Sequence, residues 1–169
     1  MLCRVARMRR VSWPCLTVNG VSMNRINLVC LGVRDMEKSL AFYKGIGFKT
    51  QVTEQNPPIV FFNNSGTKLE LFPLDNLAKD INETHPPRLA DDGFNGITFA
   101  INVKSKHEVD DLMELVQSQG GTQVKPPQTV HWGGYSGYFR DPDGYYWEIA
   151  WASFWKFDDR DMLIIDESP

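Results

Sequence analysis

Two glutamates stand out because each interrupts an otherwise apolar stretch. Glu148 lies in Tyr146-Trp147-Glu148-Ile149-Ala150-Trp151, where Trp147, Ile149 and Trp151 alternate with Tyr146, Glu148 and Ala150. A side-chain period of two makes this a strand with one wholly apolar face and a carboxylate in the middle of the other. Glu70, 78 residues earlier, has the same setting in Lys68-Leu69-Glu70-Leu71-Phe72. In a cavity, burial raises carboxylate pKa values, and mutual proximity raises one of them further. Such a pair can act as general base and acid at neutral pH. Glu70 and Glu148 are therefore the candidate catalytic residues. The plainer alternative leaves them solvated, or paired with Lys68 or Arg140.

A second group, His131, Trp132 and Tyr135, precedes the Glu148 strand. Flat aromatic faces stack on planar or apolar ligands, so this loop is a candidate ligand clamp. An aromatic packed on the Gly133-Gly134 turn is the plainer reading. Cys30 has no neighbour in sequence that would lower its pKa and reads as a small buried residue. His85 falls in a connecting stretch, and His107 in the first turn of a helix. The chain has no phosphate loop, no Gly-x-Ser-x-Gly and no dinucleotide fingerprint.

The elements that must position the glutamates occur twice. Residues 26–33 alternate as a strand, Asp35 is placed to cap a helix, and Gly45 and Gly47 end it. Strands are expected at 48–53 and 59–63, then the Glu70 strand at 67–72. Residues 73–95 read as a polar connection without a clear period. Residues 97–103 alternate again, and Ser105-Lys106-His107-Glu108 is a capping box opening a helix that stops at Gly120-Gly121. Strands near 122–125 and 135–140 follow. Asp141-Pro142-Asp143-Gly144 is a structural turn, and the Glu148 strand closes the unit. The longer loop of the second copy is expected around 126–134. The expectation is an α+β fold of two tandem βαβββ modules.

With the elements placed, Leu31-Gly32-Val33-Arg34-Asp35-Met36-Glu37-Lys38-Ser39-Leu40-Ala41-Phe42-Tyr43 with Gly47-Phe48, and Tyr138-Phe139-Arg140-Asp141-Pro142-Asp143-Gly144 with Trp147-Glu148, give the chain a recognisable pattern. It resembles the vicinal oxygen chelate superfamily of glyoxalases, bleomycin and fosfomycin resistance proteins, and extradiol dioxygenases. The resemblance implies a cup-shaped mixed sheet over residues 24–151, with module one at 24–74, a linker at 75–95 and module two at 96–151. It also implies pairing into a homodimer. In metal-dependent members the cup floor takes one ligand from the first and one from the last strand of each module; by position these are Leu28, Glu70, Thr98 and Glu148. Leucine offers no donor, and a threonine hydroxyl is a poor ligand for zinc or nickel. Two carboxylates with water would hold Mg or Mn only weakly. No tight metal centre and no cofactor is expected.

Composition limits the partners. Four of the 18 basic residues fall in residues 1–22, so the remaining 14 face all 21 acids, a net of −7. A body that acidic has no footprint for nucleic acid, and no apolar run is long enough to span a membrane. Cys3, Cys15 and Cys30 form neither a disulfide framework nor a zinc pattern, which suits a reducing cytoplasm. Residues 1–22 read as an extension that is disordered or upstream of the true start, in preference to a targeting peptide. Residues 152–169 form an acidic tail with an apolar Met162-Leu163-Ile164-Ile165 patch. Two functions remain. One is a small-molecule binder using Leu28, Thr98, Glu70, Glu148, His131, Trp132 and Tyr135. The other is a lyase- or dioxygenase-like enzyme using Glu70 and Glu148.

Overall fold

The computed structural model describes residues 17–18, 21–22, 25–90 and 93–165. Thr17–Val18 (β1) and Val21–Ser22 (β2) pair antiparallel. The rest of the amino-terminal extension and residues 166–169 lie outside the described residues.

Module one runs β3 (Leu28–Val33), α1 (Met36–Gly45), β4 (Val60–Phe61) and β5 (Lys68–Pro73). Module two runs β6 (Thr98–Asn102), α3 (Lys106–Ser118), β7 (Thr122–Thr129), β8 (Tyr135–Arg140) and β9 (Tyr146–Trp151). The sheets have orders β3-β5-β4 and β6-β9-β8-β7. In each, the first strand lies parallel to the last, and the remaining strands pair antiparallel. The two βαβ crossovers carry their caps as the sequence indicates. The Asp35 side chain accepts the Lys38 N–H at 3.0 Å, and Ser105 Oγ accepts the Glu108 N–H at 3.1 Å. Each satisfies one of the donors that a helix start leaves unpaired.

Register makes the glutamates equivalent. Cys30 stands opposite Glu70, and Ala100 opposite Glu148. By alternation the other faces, carrying Leu69 and Leu71 in β5 and Trp147 and Ile149 in β9, enter one shared core. α1 joins the two sheets there. Tyr43 lies 5.7 Å from Phe62 and 6.1 Å from Trp147 between ring centroids, and Phe42 lies 6.4 Å from Phe139.

Three elements differ from expectation. Residues 48–53 form no strand; their link to the neighbouring segment is a bond from the Asn63 N–H to the Lys49 carbonyl at 2.6 Å. The connection after β5 is not featureless, because Leu74–Ile81 forms a helix (α2) that packs on β3 and β5. The loop expected at 126–134 shortens to 130–134, since β7 continues through Pro126 and Pro127 to Thr129 with two register shifts. Proline is tolerated there because β7 is an edge strand with bulges.

The Asp141–Gly144 turn is structural, and it also fastens the modules. Asp143 accepts the Arg34 N–H at 2.8 Å and the Ser39 hydroxyl at 2.5 Å. Asp141 accepts the hydroxyl of the fully buried Tyr43. Tyr145 donates its hydroxyl to the Gly32 carbonyl at 3.0 Å.

Candidate functional site

Both glutamates lie on the sheet faces turned away from the shared core, but their surroundings differ. Glu70 is 7% exposed. Its neighbours are Cys30 on β3 and Phe61 on β4. α2 roofs the Gly32 end of this face: a Cβ on Gly32 would meet Leu74 Cδ1 at 2.5 Å and Leu77 Cδ2 at 3.3 Å. Burial, then the Glu70 charge and hydrogen bonding to Glu70, push the Cys30 thiol up to about 11. That thiol is protonated at neutral pH and is no nucleophile.

Glu148 sits on an open floor. Thr98 and Ala100 beside it on β6 are exposed, and Glu148 itself is half-buried. Tyr138 lies directly across from Glu148 in the β8–β9 hairpin, and Tyr146 shares the face two residues along. Burial, then the charge of Glu148 and hydrogen bonding to it, hold the Tyr138 phenol above its ordinary pKa. Lys125 Nζ lies 5.6 Å from the centre of the Tyr138 ring, a cation–π contact. A carboxylate faced by a phenol can accept a proton from a ligand, return it, or anchor a donor.

The remaining sequence candidates scatter. Leu28 is 40% exposed at the start of β3, opposite Lys68. Tyr135 points to the helix side of its sheet, away from Glu148, and donates to Asp110 on α3 at 2.9 Å. Its ring and that of Trp151 lie under the Lys106 ammonium. Trp132 stacks on Trp155 at 5.6 Å and lies over Gly134, where any Cβ would overlap its ring. The plainer packing reading thus describes Trp132, while His131 is exposed in the turn. No hydrogen bond or ion pair joins Glu70 to Glu148 among the described residues.

A family model for the Glyoxalase/Bleomycin resistance protein/Dioxygenase superfamily matches residues 25–149. The chain belongs to that superfamily. A glyoxalase-related enzyme from Fulvimarina pelagi is 29% identical with a TM-score of 0.74, over 85% of this chain and 99% of that one. A glyoxalase/bleomycin resistance protein/dioxygenase from Nocardioides is 25% identical with a TM-score of 0.63, over 78% and 85%. A lactoylglutathione lyase from Agrobacterium tumefaciens shares the fold at 24% identity and a TM-score of 0.57, over 80% and 98%. No curated protein matches.

Divalent metals are common in this superfamily, and Leu28, Glu70, Thr98 and Glu148 are the residues that would have to hold one. They do not fit. Leu28 has no donor and Thr98 offers one neutral hydroxyl, which leaves two carboxylates for four ligand positions. Among the described residues no three His, Cys, Asp or Glu side chains gather as a metal group would require.

The residue that sequence reading missed on this floor is Tyr138. Symmetric pairing about the four-residue turn Asp141–Gly144 would set Gly137 against Glu148; the connection spans the five residues 141–145, so the register is centred on Asp143 and Tyr138 meets Glu148 instead. No helix among the described residues is long and apolar enough to cross a membrane.

Proposed function

We propose that this superfamily member binds a small planar or apolar molecule on the Glu148 face, without a tightly held metal. The observation that carries this is the open floor itself. Thr98 and Ala100 are small and exposed on the edge strand β6 beside Glu148, and Tyr138 and Tyr146 add aromatic surface on the same face. A second copy of the chain completes the cup, its Glu70 face closing over this floor in a homodimer. The reducing cytoplasm suggested by the cysteines is the setting proposed for it.

An enzyme reading, lyase- or dioxygenase-like, is favoured by one feature. Tyr138 faces Glu148, and a phenol beside a carboxylate is a usable acid–base arrangement. Two variants separate the readings in thermal-shift and calorimetric screens of small aromatic and apolar compounds. Thr98→Trp fills the floor and abolishes binding under either reading. Glu148→Gln keeps affinity within about tenfold for a binder, since one hydrogen bond changes. For an enzyme it removes about 10²-fold or more of turnover. Unchanged binding in Thr98→Trp would show that the ligand sits elsewhere.

A further inference from the structure

Resting on that reading, a cavity between the modules indicates which group the ligand presents. It has a volume of about 300 Å³ and opens at the end of the Glu148 floor, with Tyr146 and Arg140 belonging to both. Its wall joins the end of β3, the connection into module two and the β8–β9 turn. Two guanidinium groups line it, Arg34 from module one and Arg140 from module two. Arg34 gives one N–H to the Ala90 carbonyl at 3.3 Å, and Arg140 lies over Tyr146 at 6.0 Å from the ring centre.

Neither arginine forms an ion pair among the described residues. The carboxylate in the described wall, Asp143, is already engaged by the Arg34 backbone N–H and the Ser39 hydroxyl. Among the described residues, that leaves the guanidinium edges as strong donors without an acidic partner; Asp91 and Asp92, between Ala90 and Gly93, lie outside those residues. A planar guanidinium fork recognises carboxylate and phosphate oxygens in pairs. Tyr146 and Glu148 are two residues apart on β9, about 7 Å along the strand.

We propose that this cavity takes the oxyanion end of the ligand, a carboxylate or phosphate, while its body lies along Tyr146 and Tyr138 toward Glu148. The ligand class is a small aromatic or apolar acid, with the oxyanion at one end and the group that meets Glu148 at the other.

Ligand-observed NMR and calorimetry on the full chain test this with mandelate, phenyl phosphate and the uncharged methyl mandelate. At least one acid should bind at least about tenfold more tightly than the ester, a difference typical of a lost charged hydrogen bond. Arg34→Gln and Arg140→Gln should each weaken that acid at least about fivefold, and leave the ester unchanged. Lys106→Gln, on the opposite face of the sheet, controls for general charge and should change nothing. Preference for mandelate or for phenyl phosphate tells carboxylate from phosphate. Equal affinity of acids and ester, no binding of either acid, or an equal loss in Lys106→Gln overturns the proposal. Two outcomes separate it from the parent reading. If ester and acids bind alike and Thr98→Trp abolishes both, the cup stands and the oxyanion assignment fails. If acid binding needs the arginines but survives Thr98→Trp, the cavity binds oxyanions and the cup reading fails.

Discussion

At the scale of single residues, Tyr43 and Asp141 show how a turn can hold two modules together. Tyr43 is fully buried and gives its hydroxyl to Asp141, which also accepts the N–H groups of Asp143 and Tyr145 at 3.0 and 2.9 Å. Burial raises the Asp141 pKa, against a lowering by the Tyr43 hydroxyl and these N–H donors. A carboxylate with a raised folded pKa binds its proton more readily when folded. It therefore favours folding more as pH falls through that folded pKa, and less as pH rises through it. Tyr43→Phe removes one of the donors and lifts the Asp141 pKa further. The expected loss is about 2 kcal/mol at neutral pH, the usual worth of a hydrogen bond to a charged group. It should shrink as pH falls to about 4, where the protonated acid no longer needs the donor. Urea unfolding of both proteins at the two pH values measures it, and a cost independent of pH would show that the ionised acid is not what Tyr43 serves. The glutamates were legible in sequence because alternation marks a lone acid on an apolar strand. The role of Asp141 was not, because its partner lies 98 residues away on a helix face.

At the scale of elements, α2 breaks the likeness of the two modules. It covers the Gly32 end of the Glu70 face, and no corresponding helix covers the Glu148 face among the described residues. Its apolar positions, Leu74, Leu77, Ala78 and Ile81, have helical spacing and were readable as such. Asp75, Asn76, Lys79 and Asp80 between them, and the Pro86-Pro87 pair beyond, gave the stretch the look of a linker. Residues 48–53 erred the other way. Their β-prone composition suggested a strand, but whether a strand forms depends on the neighbour it can pair with, which local sequence does not state. The repeat itself, with Glu70 set against Glu148, was legible and agrees with the register. Gly32→Ala tests the roof. Cys30, expected to be buried, is only half-buried; the new Cβ displaces Leu74 and Leu77, which loosens α2 and exposes Cys30 further. Peptide-mapped alkylation at mildly alkaline pH should label Cys30 several-fold faster than in the native chain. The native rate should be slow because its thiol is pushed up to about 11. Equal rates would mean that α2 does not shield the Glu70 face.

At the scale of the whole molecule, the shared core fixes what remains to be covered. Leu69, Leu71, Trp147 and Ile149 all turn inward, so both glutamate faces turn outward. β3 and β6 are end strands of their sheets, each paired on one side. Free strand edges and adjoining apolar side chains are what natural proteins cover or pair. The apolar residues exposed at the start of these edge strands are Ile26, Leu28 and Ile97, and Phe61, on the far end strand β4, is 53% exposed on the Glu70 face. A second copy can meet all of these together, by laying its β3 edge against β6 and its β6 edge against β3. That two-fold arrangement is self-complementary and closed, and it forms two cups, each with Glu70 from one copy and Glu148 from the other. Sedimentation should therefore give twice the chain mass. Leu28→Asp with Phe61→Asp places two charges in each of two symmetric contacts, and should shift the protein to monomer at micromolar concentration. Both side chains are already exposed in the single chain, so the monomer should keep its circular dichroism and unfold within about 0.5 kcal/mol of its own stability. Ligand binding should fall with the dimer, because half of each cup is lost. A native chain that sediments as a monomer, or a monomeric variant that binds ligand unchanged, would place the whole site within one copy.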